Sequence, residues 1–133
     1  MGQKREERDE KMKLVDTSVF IDFFRGFKDA KEFFMKNTDK IIFSSITEAE
    51  LLSGSYCADK SQEEKVLHFL SQFEKIAVDN PLVQTAGKYR REAGVLLPDA
   101  LIAASAVHHD AVLVTSNVRD FQKIKKLTVE KPY

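Results

Sequence analysis

Short apolar runs of strand length alternate with amphipathic stretches of helix length along this chain, and four acids stand where one kind of segment gives way to the next. The runs are Lys13 to Asp16, Ile41 to Ser44, Lys75 to Val78 and Ala111 to Thr115, with a last edge strand around Leu127 to Val129. Strands separated by helices pair in parallel through right-handed crossovers, because each helix carries the chain back to the end from which the next strand starts. The expected fold is α/β: one three-layer α/β/α domain with a central, mainly parallel sheet. In such a sheet the residues just past the carboxyl ends of the strands share one edge, and ligands bind there. Asp16 in KLVDTS, Glu50 in SSITEAELL, Asp99 in LPDALIAASAV and Asp120 in LVTSNVRDF are therefore expected to meet in space.

The helical stretches carry their own signals. From Thr17 to Gly26, Phe20, Phe23, Phe24 and Phe27 follow the i, i+3, i+4, i+7 spacing of one apolar face, and Gly26 can end that helix. Asp29 to Asn37 buries Phe33 and Phe34, Thr47 to Ser53 stops at Gly54, and Ser61 to Phe73 is amphipathic through Val66, Phe69, Leu70 and Phe73. Pro81 opens a helix that ends near Gly94, Pro98 leads into Ala100 to His108, and Val118 to Lys125 reads as a short last helix. Residues 1–11 are almost wholly polar and read as a charged N-terminal extension, with the domain occupying residues 12–133.

Composition bounds the function. A chain of 133 residues suits a single domain with a real core. No apolar run approaches the ~20 residues that cross a bilayer, and the N-terminal MGQKREERDEK has no apolar stretch after its basic residues, so the expected location is the cytoplasm, with no membrane contact. Cys57 is the only cysteine, which excludes an internal disulfide and any multi-cysteine zinc site. The formal net charge is zero. Only local clusters, Arg90 with Arg91 and Lys123 with Lys125, Lys126 and Lys131, could meet phosphates, and a basic run on a helix face is more often merely solvated.

Each acid alone has an ordinary structural explanation. Asp16 could cap the helix after its strand, Glu50 could complete a capping box with Thr47, Asp99 could favour the positive end of the helix opened by Pro98, and Asp120 could follow an Asn117 cap. Jointly they would crowd like charges onto one edge, and a hard divalent cation held by carboxylate oxygens and water would compensate them. His108 and His109 are adjacent and so point in different directions on a helix, which leaves them as surface residues. With no glycine-rich phosphate loop and no nucleophile triad, metal-assisted phosphodiester hydrolysis is the fitting chemistry. A phosphoryl-transfer hydrolase with a nucleophilic Asp would need a second acid after the first strand, and Asp16-Thr17-Ser18 lacks it.

At these residues the chain resembles a PIN-domain ribonuclease of the VapC toxin type, from about Met12 to the C-terminus. LVDTSVFIDFFRG is similar to the family's opening strand and helix, with its Asp at Asp16 and the following hydroxyl at Ser18; ITEAELLSG matches T-x-x-E-L, with the acid at Glu50. LPDALIAASAV carries the third acid at Asp99, and LVTSNVRDF matches the ending that supplies Thr115, Asn117 and Asp120. Many relatives carry an acid where this chain has Asn117, so the fourth charge falls to Asp120, and one or two metals remain open. The resemblance implies a PIN-like fold and an endoribonuclease dependent on Mg²⁺, for which Mn²⁺ can substitute. It further implies a homodimer and a cognate VapB-like antitoxin lying in a groove beside the acids. Phe20 and Phe24 are then candidate walls of that groove, and Arg25 beside them a contact for RNA phosphate or an antitoxin carboxylate. The alternative is a catalytically weak PIN-like module that binds RNA or protein.

Overall fold

The computed structural model describes residues 11–133. The N-terminal extension expected from the sequence lies outside the described residues except for Lys11, whose ammonium sits 3.4 Å from Asp110. Strands β1 (Lys13–Val15), β2 (Ile41–Ser44), β3 (Glu74–Ile76), β4 (Val112–Val114) and β5 (Val129–Glu130) form one sheet in the order β3-β2-β1-β4-β5. Every neighbouring pair is parallel. Seven α-helices connect the strands among the described residues: α1 (Thr17–Phe24), α2 (Lys28–Lys36), α3 (Ser45–Leu52), α4 (Lys60–Leu70), α5 (Asn80–Ala93), α6 (Leu97–His108) and α7 (Val118–Phe121).

Alternation along the strands builds two cores from one sheet, because successive side chains point to opposite faces. Leu14, Ile42 and Leu113 face the core made with Leu82 and Ala86 of α5, Ala100, Ile102, Ala103 and Ala106 of α6, and Phe121. Val15, Ile41, Phe43 and Val114 face the other core, made with Val19 and Phe20 of α1, Phe33 and Phe34 of α2, Leu51 of α3, and Val66 and Leu70 of α4. The chain runs outward from β1 to β3 with α1 to α4 on one face, then returns past β1 to β4 and β5 with α5 to α7 on the other. Crossovers of fixed hand require this: when the direction of travel along the sheet reverses, the helices must change face. The reversal leaves a crevice between the carboxyl ends of β1 and β4, the place where open parallel sheets bind ligands.

Several element boundaries depart from the sequence reading. Helix α3 starts at Ser45, two residues before the expected Thr47, because the Ser44 hydroxyl caps it by accepting from the Ile46 N–H at 3.2 Å. Strand β3 lies at Glu74–Ile76 rather than Lys75 to Val78. Helix α7 stops at Phe121 instead of reaching Lys125, since the Ile124 and Leu127 N–H groups bond three residues back, to Phe121 and Ile124. Those tight turns bury Ile124 while leaving Lys123, Lys125 and Lys126 exposed. At the end of α5, Gly94 adopts φ +72°, as the expected stop requires, and the Arg90 guanidinium donates to the Gly94 and Val95 carbonyls at 3.1 and 3.3 Å.

Candidate active site

Asp16 follows β1 and is only 5% exposed, so its charge needs partners within the protein. It occupies the N-cap position of α1, but its side chain makes no cap hydrogen bond. Its Oδ2 instead accepts from the Ser18 hydroxyl and from the Thr115 hydroxyl, each at 2.8 Å. Both donors are themselves held by backbone amides: Ser116 N–H donates to Ser18 Oγ at 3.3 Å and Asn117 N–H donates to Thr115 Oγ1 at 3.0 Å. Each hydroxyl has a single proton and gives it to Asp16, so the loop after β4 is polarised toward the carboxylate through two relays.

Glu50 is held by an analogous arrangement that the sequence reading missed. The Thr17 hydroxyl donates to Glu50 Oε1 at 2.7 Å, and Thr47 Oγ1 lies 2.9 Å from the same hydroxyl. Thr17 has spent its one proton on the carboxylate, so Thr47 donates to Thr17. The capping box proposed from Thr47 and Glu50 is therefore corrected: Thr47 is fully buried inside α3, Ser44 is the cap, and Glu50 projects toward α1. The signal for Thr17 in the sequence was a second hydroxyl between Asp16 and Ser18, which pattern alone could not aim at Glu50.

Asp99 reaches the same edge by another route. It lies in the first turn of α6, and α6 leads into β4 through a short turn, so its N-terminus stands at the carboxyl edge. No strand precedes it: Val95 and Leu96 link α5 to α6 without regular structure. Burial, with the charges of Asp16, Glu50 and Asp120 acting in the same direction, pushes the Asp99 carboxyl up to about 6. A helix N-terminus favours a carboxylate by about 0.3–1 kcal/mol, and here burial and three neighbouring charges outweigh it. Asp120, in α7, is exposed, and it shares a pocket of about 300 Å³ with Asp99, Arg119 and Lys123. Asn117 occupies the N-cap position of α7 without a side-chain cap bond.

The donor set is all oxygen, which is the chemistry that suits Mg²⁺ or Mn²⁺. Among the described residues, no three His, Cys, Asp or Glu side chains are drawn together tightly enough to cage an ion by themselves. Long-range repulsion on Asp99 and the absence of a tight cage agree if water fills part of the coordination shell, as Mg²⁺ prefers.

Beside the acids lies the aromatic groove. Phe24, Arg25, Glu50, Leu51 and Tyr56 line a cleft of about 430 Å³, which places the Arg25 cation and the Glu50 carboxylate in one recess. An adjoining cleft adds Phe23, Phe69 and Lys31. Phe20 must be removed from the groove residues: it is 0% exposed and sits among Phe34, Phe43, Phe69 and Phe73. Phe27 also leaves the stripe, since α1 ends at Phe24 and the Phe27 ring packs on Tyr133, 5.2 Å between centroids. Tyr56, unmarked in the sequence reading, is 42% exposed and lies 6.1 Å from Phe24.

A parallel α/β domain whose sheet reverses direction between β1 and β4 brings Asp16, Glu50, Asp99 and Asp120 within electrostatic reach of one another at its carboxyl edge. The chain belongs to the PIN domain family, whose model matches residues 13–127. It is 30% identical over 129 residues to Ribonuclease VapC1 of Methanocaldococcus jannaschii, across 93% of this chain and 89% of that protein. Its fold is similar to a toxin-antitoxin complex from Klebsiella pneumoniae, with TM-score 0.79 and 32% identity over 90% of this chain and 97% of the other. It is similar also to DNA-bound VapBC from Salmonella typhimurium, with TM-score 0.81 and 27% identity over 92% of this chain and 99% of the other. Among the described residues no helix is long and apolar enough to cross a membrane.

Proposed function

We propose that this protein is an endoribonuclease toxin of the VapC type, acting in the cytoplasm on RNA phosphodiesters, with Asp16, Glu50, Asp99 and Asp120 holding Mg²⁺ or, in its place, Mn²⁺. The observation that carries this reading is the geometry of the carboxyl edge, where Ser18 and Thr115 hold Asp16 and Thr17 holds Glu50 beside the point at which the sheet reverses direction. Relatives named as ribonucleases and neighbours solved as toxin-antitoxin complexes support the same reading.

When bound, the cation would supply Lewis-acid stabilisation of the charge that builds on the phosphate and the leaving oxygen. The remaining work falls to the chain. Ser18 and Thr115 hold the Asp16 carboxylate by its Oδ2, so its orientation is fixed before substrate arrives. Thr17 fixes Glu50 in the same way. Water adds to phosphorus as the P–O bond to the leaving oxygen breaks, one proton leaving the water and one arriving on the departing oxygen. Arg119 and Lys123 face the acids across the same pocket and would attract the phosphate that the carboxylates repel.

A VapB-like antitoxin would lay an apolar segment against Phe24 and Tyr56 and bring a cation near Glu50, and a homodimer would set two such sites side by side. The test is cleavage of RNA by purified protein in Mg²⁺, in Mn²⁺ and in chelator, beside Asp16→Asn and Asp99→Asn. Activity in metal alone, lost in both variants, is expected. Equal cleavage by wild type and variants would overturn the assignment.

A further inference from the structure

The acidic pocket does not stand alone. Lys123, which shares it with Asp99, Asp120 and Arg119, also lines a second cleft of about 530 Å³. That cleft lies between the C-terminal half of α5, the end of α6 and the turn after α7, and its walls carry Lys88, Tyr89, His108, Lys125 and Lys126. Glu92 is the single carboxylate in its lining, against the four lysines at 88, 123, 125 and 126. Among the described residues the ion pairs involve Lys11, Lys13 and Lys75, so none of the cleft lysines is neutralised by one. A chain of zero net charge has thus concentrated unpaired cations in one recess that opens beside its acids.

The tight turns after Phe121 produce this arrangement. Burying Ile124 turns Lys123, Lys125 and Lys126 outward together, while Lys88 approaches from α5. Helix α6 sets the span, since Asp99 at its start and His108 at its end are separated by about 14 Å at the usual rise per residue. The recess therefore leads from the acidic edge toward the opposite edge of the sheet. Cations along a groove with an aromatic ring in its wall are what a single-stranded nucleic acid uses: lysines for phosphates, the ring for a base. Arg90 takes no part, because its guanidinium is spent on the carbonyls that close α5.

We propose that this lysine-lined cleft between α5 and the turn after α7 carries the RNA strand beyond the acidic pocket, with Lys88, Lys125 and Lys126 binding its phosphates, Tyr89 meeting a base and Lys123 joining the two recesses. The proposal rests on the ribonuclease reading for the identity of the polyanion, and it adds the path that the strand takes. Specific placement of the strand over the acids then depends on cations that the metal-binding residues do not include.

The test compares full-length wild type with two variants of equal charge, using a fluorescein-labelled 12-nucleotide single-stranded RNA and anisotropy in chelator. One variant is Lys88→Gln/Lys125→Gln/Lys126→Gln; the other is Lys28→Gln/Lys36→Gln/Lys60→Gln, at exposed lysines outside the cleft. Single-stranded RNA gives a slope of log affinity against log salt of about −0.7 per phosphate contact, so three lost contacts flatten it by about 2. The cleft variant is expected to lose about tenfold or more in affinity with that change in slope, and the control less than twofold. All of the side chains replaced are exposed, so thermal melts of the three proteins should coincide. Equal losses in both variants would mean diffuse attraction and overturn the proposal, as would unchanged RNA binding with weakened antitoxin binding by the cleft variant. A separate cleavage assay keeps the two readings apart: RNA binding that follows the cleft in a protein without nuclease activity refutes the nuclease alone, and cleavage with an unaltered slope refutes the cleft alone.

Discussion

The Thr115 hydroxyl donates to Asp16 Oδ2 across 2.8 Å, joining the end of β4 to the end of β1 over 99 residues of sequence. This bond spans the crevice where the sheet reverses direction, and the β1–β4 register, Val15 beside Val114, brings its two residues together. Asp16 is thus oriented by the strand that follows the reversal, so folding completes the site only when β4 has docked.

Removing that donor tests the relation directly. Thr115→Val keeps the shape of a fully buried side chain and strips one hydrogen bond from a carboxylate, which costs about 1.5–3 kcal/mol of stability. RNA cleavage should fall by at least tenfold, and Thr115→Ser should recover most of it. Unchanged turnover in the valine protein would show that Ser18 alone orients Asp16.

The acidity of Asp99 gives a pH signature without any substrate. Its folded-state carboxyl is raised to about 6 from 3.8, so the folded protein binds the proton more tightly than the unfolded chain. The resulting stabilisation is complete below about 3.8 and is lost as pH rises through about 6. In chelator, the melting temperature of wild type relative to Asp99→Asn should therefore rise as pH is lowered from 7.5 to 5. Mg²⁺ at pH 7.5 should raise the wild-type melting temperature more than that of the variant, because a ligand that prefers the folded state stabilises it. A variant less stable than wild type in chelator at pH 7.5, with the same response to metal, would return Asp99 to a helix-capping role.

Asp120 and Asn117 separate the fourth charge from its neighbour. Asp120 adds to the field at Asp99, whereas the Asn117 side chain makes no cap bond and contributes only its backbone N–H to Thr115. Replacing Asp120 by Asn should raise the metal concentration for half-maximal activity several-fold, more than Asn117→Ala does. Metal titrations of the two proteins decide between them, and a larger shift for Asn117 would move the fourth ligand.

Two phenylalanines one helical turn apart should behave in opposite ways. Phe20 is fully buried, so Phe20→Ala should cost about 3–5 kcal/mol of stability. Phe24 lines the groove beside Glu50, so Phe24→Ala should leave the fold largely intact while weakening antitoxin binding by tenfold or more. Calorimetric titration with the antitoxin segment, alongside thermal melts, reads both effects. Antitoxin affinity unaffected by Phe24→Ala would remove the groove from the interface.

The order of strands and helices was legible in the chain because its signals are local. Alternation at Leu14 and Val15 sorts the faces of β1, Gly94 supplies the left-handed residue that ends α5, and Pro98 opens α6 in front of Asp99. Asp16 could be placed on the carboxyl edge because the junction between β1 and α1 puts it there. Tertiary structure decided everything that depends on partners far away in sequence. The spacing of Phe20 and Phe24 puts both on one stripe, but only the packing of α2 and α4 against α1 buries the first and leaves the second at the groove. Thr17 finds Glu50 across 33 residues and Lys123 comes to line one cleft with Lys88 across α6, β4 and α7, since strand order and register, not local periodicity, set which side chains share a recess.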